Sequence, residues 1–233
     1  MRFIAAVAFA AGLSMAGAGA AGAQTCLGYA PFANGPARVN GDLILGDRIL
    51  DAHGNTYGAG IAFGGAQPPV FGGATISGTR IDGLDGTARN LGVSGGFRIP
   101  LVSQPGTELC PIGEFVHTWG PDFTVMTASG IPVGVGHSLS NAVSLGGAMG
   151  HPFVANPSVT LVPFADVRWV HFSARGWSPI DTDTASDSYG SLTLGTGIMF
   201  SKTVTLRPAV AIPIAANDAS SVFLISIGFS LGK

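Results

Sequence analysis

The feature that most restricts the fold is a regular alternation of side chains in the C-terminal segment SVFLISIGFSLGK, residues 221–233. A β-strand sends alternate side chains to opposite faces, so this segment is predicted to be a strand. One face is apolar and bulky, and the other becomes small and polar after Leu224. The bulky face would pack into the core of a soluble protein, or it would face lipid on a transmembrane barrel. Its residues are Phe223, Ile225, Ile227, Phe229 and Leu231.

The same alternation recurs in five other segments, at 57–64, 90–99, 131–139, 191–200 and 203–214. Turn-forming residues fill the stretches 67–73, 81–88, 102–108 and 180–188, and three residues separate Phe200 from Val204, as in a hairpin. About eleven candidate strands can be counted, of which 38–47 and 141–153 fit the pattern least well. Bacterial single-chain barrels have even strand numbers. We therefore predict about ten strands, with eight and twelve as alternatives.

The N-terminus predicts export from the cytoplasm. Arg2 precedes a short apolar stretch that ends in Ala21-Gly22-Ala23, which is typical of a secretory signal peptide cleaved before Gln24. A membrane-anchoring helix and a lipoprotein lipidated at Cys26 are the alternatives, but the apolar stretch is short and the usual residues before a lipidated cysteine are missing. The predicted organisation is a signal peptide at 1–23 and one domain at 24–233.

Composition separates a membrane barrel from a soluble β-protein. Mean hydropathy is +0.43 and only 10% of residues are charged, yet no segment after residue 23 is apolar enough for a spanning helix. Closed barrels and helices are the structures that satisfy all backbone groups inside a bilayer. A soluble β-sandwich would need a more polar surface. The net charge of −2 gives no basic footprint, so nucleic acid is not an expected partner.

Five charged residues are predicted to face the interior of the barrel, because strand parity puts them opposite the apolar stripes. They are Arg98, Glu114, Asp166, Arg168 and Arg207. Charges in a narrow interior are stable when they pair with each other or with water. Two interpretations stay open: an ion-pair network that fills the lumen, and a charged constriction that selects solutes.

Cysteine and histidine usage predicts no metal site. The five histidines are scattered, and neither they nor the cysteines have ligand spacing. Cys26 and Cys110 can form a disulfide in the oxidising periplasm, although the sequence alone does not establish that their Cα atoms lie close enough. No cofactor is expected.

With its signal peptide, repeated glycine-spaced strands and amphipathic last strand, the chain resembles the small outer-membrane β-barrels of Gram-negative bacteria, the OmpA-like and opacity-like group. The resemblance implies a closed antiparallel up-and-down barrel in the outer membrane. It implies contact with outer-membrane lipid and lipopolysaccharide, and with the barrel-assembly machinery, which reads a terminal aromatic residue. Here Phe229 is followed by Ser-Leu-Gly-Lys, a departure from that terminal signal.

One segment, VRWVHFSARGWSP at 167–179, suggests an enzyme instead. His171 and Ser173 are similar to the His-x-Ser motif of lipid A 3-O-deacylases, with Asp187 as the nearest carboxylate that could orient the histidine. The motif departs from that family, because Ala174 follows the serine and no glutamate follows Glu114. The other interpretation places this pair beside Trp169 and Trp177 in an aromatic girdle at the membrane surface. We therefore predict a non-enzymatic outer-membrane barrel with a structural or narrow-pore role, and keep the hydrolase and a selective porin as alternatives.

Overall fold

A computed structural model describes Cys26 and residues 38–48, 54–64, 69–81, 86–126, 132–177, 182–200, 204–214 and 221–231. Its secondary structure is almost entirely β. Ten strands are long: β1 (Arg38–Arg48), β2 (Gly54–Gly64), β3 (Val70–Ile81), β4 (Thr87–Phe97), β6 (Glu108–Trp119), β8 (Pro132–Gly150), β10 (Val159–Trp177), β11 (Thr182–Phe200), β12 (Val204–Ile214) and β13 (Val222–Leu231). Three are short: β5 (Ile99–Pro100), β7 (Phe123–Met126) and β9 (Phe153–Asn156).

The long strands form a closed antiparallel ring. Each pairs with the long strands before and after it, with β6 pairing directly to β8 past the short β7. The first strand pairs with the last, from Val39 opposite Leu231 to Arg48 opposite Val222, which closes the barrel. The prediction of an all-β, closed up-and-down barrel of about ten strands is confirmed. Among the described residues, no helix is long and apolar enough to cross a membrane.

Three strand boundaries differ from the sequence prediction by more than two residues. The turn predicted at 67–73 is wrong from Val70 onward, since those residues belong to β3. The doubtful candidate at 141–153 continues the strand that begins at Pro132, because the alternation passes through Ser140 and Asn141 without a turn residue. The turn predicted at 180–188 is wrong from Thr182 onward, since those residues belong to β11 and pair with the end of β10. The Asp and Ser residues of that segment resemble a loop in sequence, but here they extend a strand.

The barrel wall is apolar outside and mixed or polar inside. Large apolar side chains are exposed on the outer face, among them Ile76 at 63% and Leu145 at 57%. The alternate positions are buried and are rich in Thr, Ser and Asn. A soluble β-protein has the reverse arrangement, so this wall is suited to lipid. The side chains of Phe223, Ile225, Ile227 and Phe229 share the outer face, while Ser226 is buried.

The two ends of the barrel are different. We call the end that holds the start of β1 and the finish of β13 the terminal end, and the opposite end the far end. At the far end β8, β10 and β11 extend beyond their neighbours: β6 finishes at Trp119 opposite Leu139, and β12 finishes at Ile214 opposite Gly190. Long extracellular extensions and short periplasmic turns are usual in outer-membrane barrels.

The interior at the terminal end holds an apolar cluster that includes a disulfide. Cys26 is bonded to Cys110 of β6, with a sequence separation of 84 residues. Both cysteines are fully buried, and they pack with Phe71, Ile112 and Ala148. The bond ties the chain before β1 to the inner wall and leaves no free thiol at Cys26. The predicted signal peptide at 1–23 lies outside the described residues.

Candidate functional site: the charged interior of the barrel

Three of the five predicted interior charges meet in the middle of the barrel. Glu114 lies on β6, while Asp166 and Arg168 lie two residues apart on β10 and so point to the same face. Their side chains keep only 2–4% of their surface exposed. We call these three residues the charge cluster.

Arg168 is the centre of the charge cluster. Its Nη1 donates to Glu114 Oε2 at 2.5 Å, its Nε donates to Asp166 Oδ2 at 2.7 Å, and its Nη2 lies 2.6 Å from the same oxygen. A guanidinium held between two carboxylates leaves one formal negative charge in the cluster. A buried charge without such partners would be strongly destabilising, so each member depends on the others.

A glycine makes room for the arginine. Gly146 of β8 is directly opposite Arg168. A Cβ atom added there would lie 2.7 Å from Arg168 Cα and 2.8 Å from its Cγ. Gly195 of β11 likewise lies under the ring of Phe164, which would be 2.6 Å from an added Cβ. These interior glycines therefore accommodate large side chains from neighbouring strands.

The other two predicted charges have contacts of their own. Arg98 forms an ion pair with Glu108 at 3.0 Å near the terminal end, and both side chains are about nine-tenths buried. The guanidinium of Arg207 on β12 lies 5.8 Å from the centre of the Phe164 ring. Glu108 was absent from the sequence prediction, although it shares the parity of Cys110 and Glu114 and could have been found from that signal.

A neutral polar network lines the interior at the far end, and the sequence analysis did not predict it. Asn90 of β4 is its centre: its Nδ2 donates to Ser77 Oγ at 3.1 Å and to Thr79 Oγ1 at 3.3 Å, and its Oδ1 accepts from Thr118 at 2.8 Å. Thr79 Oγ1 also contacts Thr56 Oγ1 at 3.1 Å. Alternation places these residues on the inner face, but their contacts depend on the register between strands.

The residues of the enzyme alternative face different directions. His171 and Ser173 share the outer face of β10, but His171 Nδ1 is 2.9 Å from Ser188 Oγ of β11. Asp187 lies opposite Phe172, which is an interior residue, and its Oδ1 accepts from the backbone nitrogen of Ser188. Among the described contacts, none joins Asp187 to His171. The structure thus places a hydrogen-bonded His171–Ser188 pair at the far end. The described contacts do not include those from Ser173 to His171 and from His171 to Asp187 that a catalytic triad requires.

Comparison with known proteins finds structures with a similar fold but no protein family that matches in sequence. No protein-family model matches the chain, and no curated protein matches it in sequence. Among solved structures, the β-domain of the Bordetella autotransporter BrkA is similar with a TM-score of 0.57 and 12% identity, covering 84% of this chain and 98% of that domain. The translocator domain of autotransporter NalP from Neisseria meningitidis has a TM-score of 0.48 and 10% identity, covering 83% and 87%.

The fold defines the class of protein. A closed ring of antiparallel strands, an apolar outer wall and a polar interior are the features of bacterial outer-membrane β-barrels. The likeness to the BrkA β-domain supports the same fold. The chain is an integral β-barrel of the bacterial outer membrane.

Proposed function

We propose that this barrel is a non-enzymatic outer-membrane protein whose interior is closed by the charge cluster, so that it has a structural role or conducts only through a narrow path. The observation that carries the proposal is the burial of Glu114, Asp166 and Arg168 in the middle of the barrel. In an open, water-filled channel, charged side chains on the wall would be exposed to that water.

The packing around the cluster supports a filled interior. Arg168 covers Gly146 and Phe164 covers Gly195, so side chains of the neighbouring strand occupy the space beside these two glycines. Val116, Val170 and Phe172 form an apolar cluster towards the far end, and the disulfide cluster occupies the terminal end. Side chains can just fill a barrel of about eight strands, and barrels of about 16–18 strands leave an aqueous channel, so ten strands lies near the filled end of this range. The OmpA-like and opacity-like resemblance is compatible with this proposal and stays a prediction.

Planar-bilayer conductance tests the proposal. The unmodified protein should show little or no steady conductance. Arg168→Ala should open or enlarge a leak, because it removes the side chain that joins β6 to β10 and leaves two like charges facing each other. Arg175→Ala is the matched control: it lies on the same strand but on the outer face, where its side chain is exposed.

Each variant should first be checked for folding by its migration with and without heating, since a folded barrel migrates differently when unheated. If Arg168→Ala does not fold, Glu114→Ala replaces it and should also raise conductance, because it removes the β6 side chain of the cluster while Arg168 keeps Asp166 as its partner. A large, stable conductance from the unmodified protein would overturn the closed interior and favour a selective porin. A leak that is equal in the Arg168 and Arg175 variants would show that the cluster does not close the path.

A further inference from the structure

On β3 and β4, the outer face changes from apolar to basic towards the far end. On β3 and β4, the exposed side chains of Ile76, Leu91 and Val93 are followed towards the far end by Arg80 and Arg89, both of which are exposed. Among the described side chains, no arginine or lysine faces outward at the terminal end, where Arg98 is bonded to Glu108 inside. Arg80 and Arg89 therefore mark the far-end edge of the apolar wall on these two strands.

Two aromatic side chains flank Arg89. Trp119 of β6 is directly opposite Arg89, and on the other side Gly78 of β3 is opposite it. The ring of Tyr57 lies over Gly78, so closely that a Cβ added to the glycine would be 2.8 Å from the ring. Tyr57 and Trp119 are both about half exposed on the outer face. Aromatic rings of this kind sit at the level of lipid head groups.

Arg80 lies close to Arg89. It is opposite Thr87, so Arg89 is its diagonal neighbour on the next strand, about 7–8 Å away between backbones. Among the described residues, neither guanidinium has a side-chain partner. Asp122, an exposed carboxylate in the turn after β6, is hydrogen-bonded to His137 and, among the described contacts, to neither arginine. Two long guanidinium side chains at this spacing can converge on one phosphate group, to which arginine donates bidentate hydrogen bonds.

We propose that Arg80 and Arg89, framed by Tyr57 and Trp119, form a binding site for a phosphate group of a phosphorylated lipid in the outer leaflet. The apolar wall formed by Ile76, Leu91 and Val93 contacts the acyl chains below this site. The far end faces the exterior, because the extended strands β8, β10 and β11 project there. This inference rests on insertion of the barrel in the outer membrane, and it identifies a lipid partner for the outer wall, which is separate from the charged interior.

Native mass spectrometry of the purified, folded protein tests the site, with lipid A carrying two phosphates and the same lipid after dephosphorylation as probes. The unmodified protein should bind the phosphorylated lipid about tenfold more tightly, which is the contribution of roughly one charge-assisted hydrogen-bonded pair. The double variant Arg80→Gln/Arg89→Gln should lose this preference. Arg175→Gln, which also removes an exposed arginine of the outer face, should keep it.

Three results would overturn the site: equal binding of both lipids by the unmodified protein, an unchanged preference in the double variant, or equal loss in Arg175→Gln. Inorganic phosphate that binds as tightly as the lipid would show recognition of a free anion instead. Heat-modified migration and conductance are measured on the same samples. A protein that is a closed barrel but shows no lipid preference contradicts only this inference, whereas failure of the closed-barrel assay contradicts the proposed function.

Discussion

At the scale of the residue, large interior side chains lie against glycines of neighbouring strands. Arg168 lies against Gly146, Phe164 against Gly195, and the ring of Phe71 against Gly96. Each glycine is on a strand next to that of its large neighbour, so the match depends on register and not on adjacent sequence. This complementarity supports the proposed closed interior in a chain that has 36 glycines.

Two adjacent glycines of β8 provide a matched test of this packing. Gly146→Ala should lower the free energy of unfolding by about 1–3 kcal/mol, because the new methyl group overlaps Arg168. Gly147→Ala should change it little, since Gly147 has the opposite parity and its added Cβ would meet only Cys110 O, at 3.8 Å. Urea unfolding in lipid vesicles, followed by tryptophan emission, measures both. Equal effects at the two positions would contradict the filled interior.

At the scale of the element, the last strand shows how alternation decides which side chains meet lipid. Ile225→Arg should destabilise the barrel by about 2–4 kcal/mol, because it places a cation in the hydrocarbon region. An arginine at Ser226 is a poor interior control, since Ser226 is directly opposite Arg207 and is fully surrounded.

Ser226→Asp is the better comparison, because an interior carboxylate at that position faces the Arg207 guanidinium. We expect this variant to be clearly milder than Ile225→Arg when both are unfolded by urea in the same vesicles. If the two variants were equally damaging, or if Ser226→Asp were the worse, the assignment of the two faces of β13 would be wrong.

The strands also show how far the sequence predicts the fold. Alternation located the lipid-facing and interior faces, because each residue's parity is a local property. It failed for residues 182–188, which are polar at nearly every position because they extend past the apolar wall, so no alternation distinguishes them from a loop. Parity also placed Glu114, Asp166 and Arg168 inside, but the pairing of Arg98 with Glu108 depends on how β4 and β6 come together, which the sequence pattern does not contain.

At the scale of the whole molecule, the closed ring makes distant parts of the chain depend on each other. β1 and β13 pair along their length, the disulfide joins Cys26 to β6, and Arg168 joins β10 to β6 across β8. Side chains of the outer wall face lipid, and side chains of the inner wall pack against one another. If the interior is closed as proposed, lipid shields the outer wall from water at mid-height, and side-chain packing shields the inner wall.

Residue-resolved labelling of the unmodified protein in vesicles tests this arrangement most directly. A lipid-soluble, photoactivated carbene reagent marks side chains in lipid, hydroxyl radicals mark side chains in water, and mass spectrometry locates both marks along β13. We predict carbene labelling at Phe223, Ile225 and Ile227, and neither label at Val222, Leu224 and Ser226. Oxidation of Val222 and Leu224 by hydroxyl radicals would reveal an open channel, and oxidation of Ile225 and Ile227 would contradict a barrel whose apolar face meets lipid.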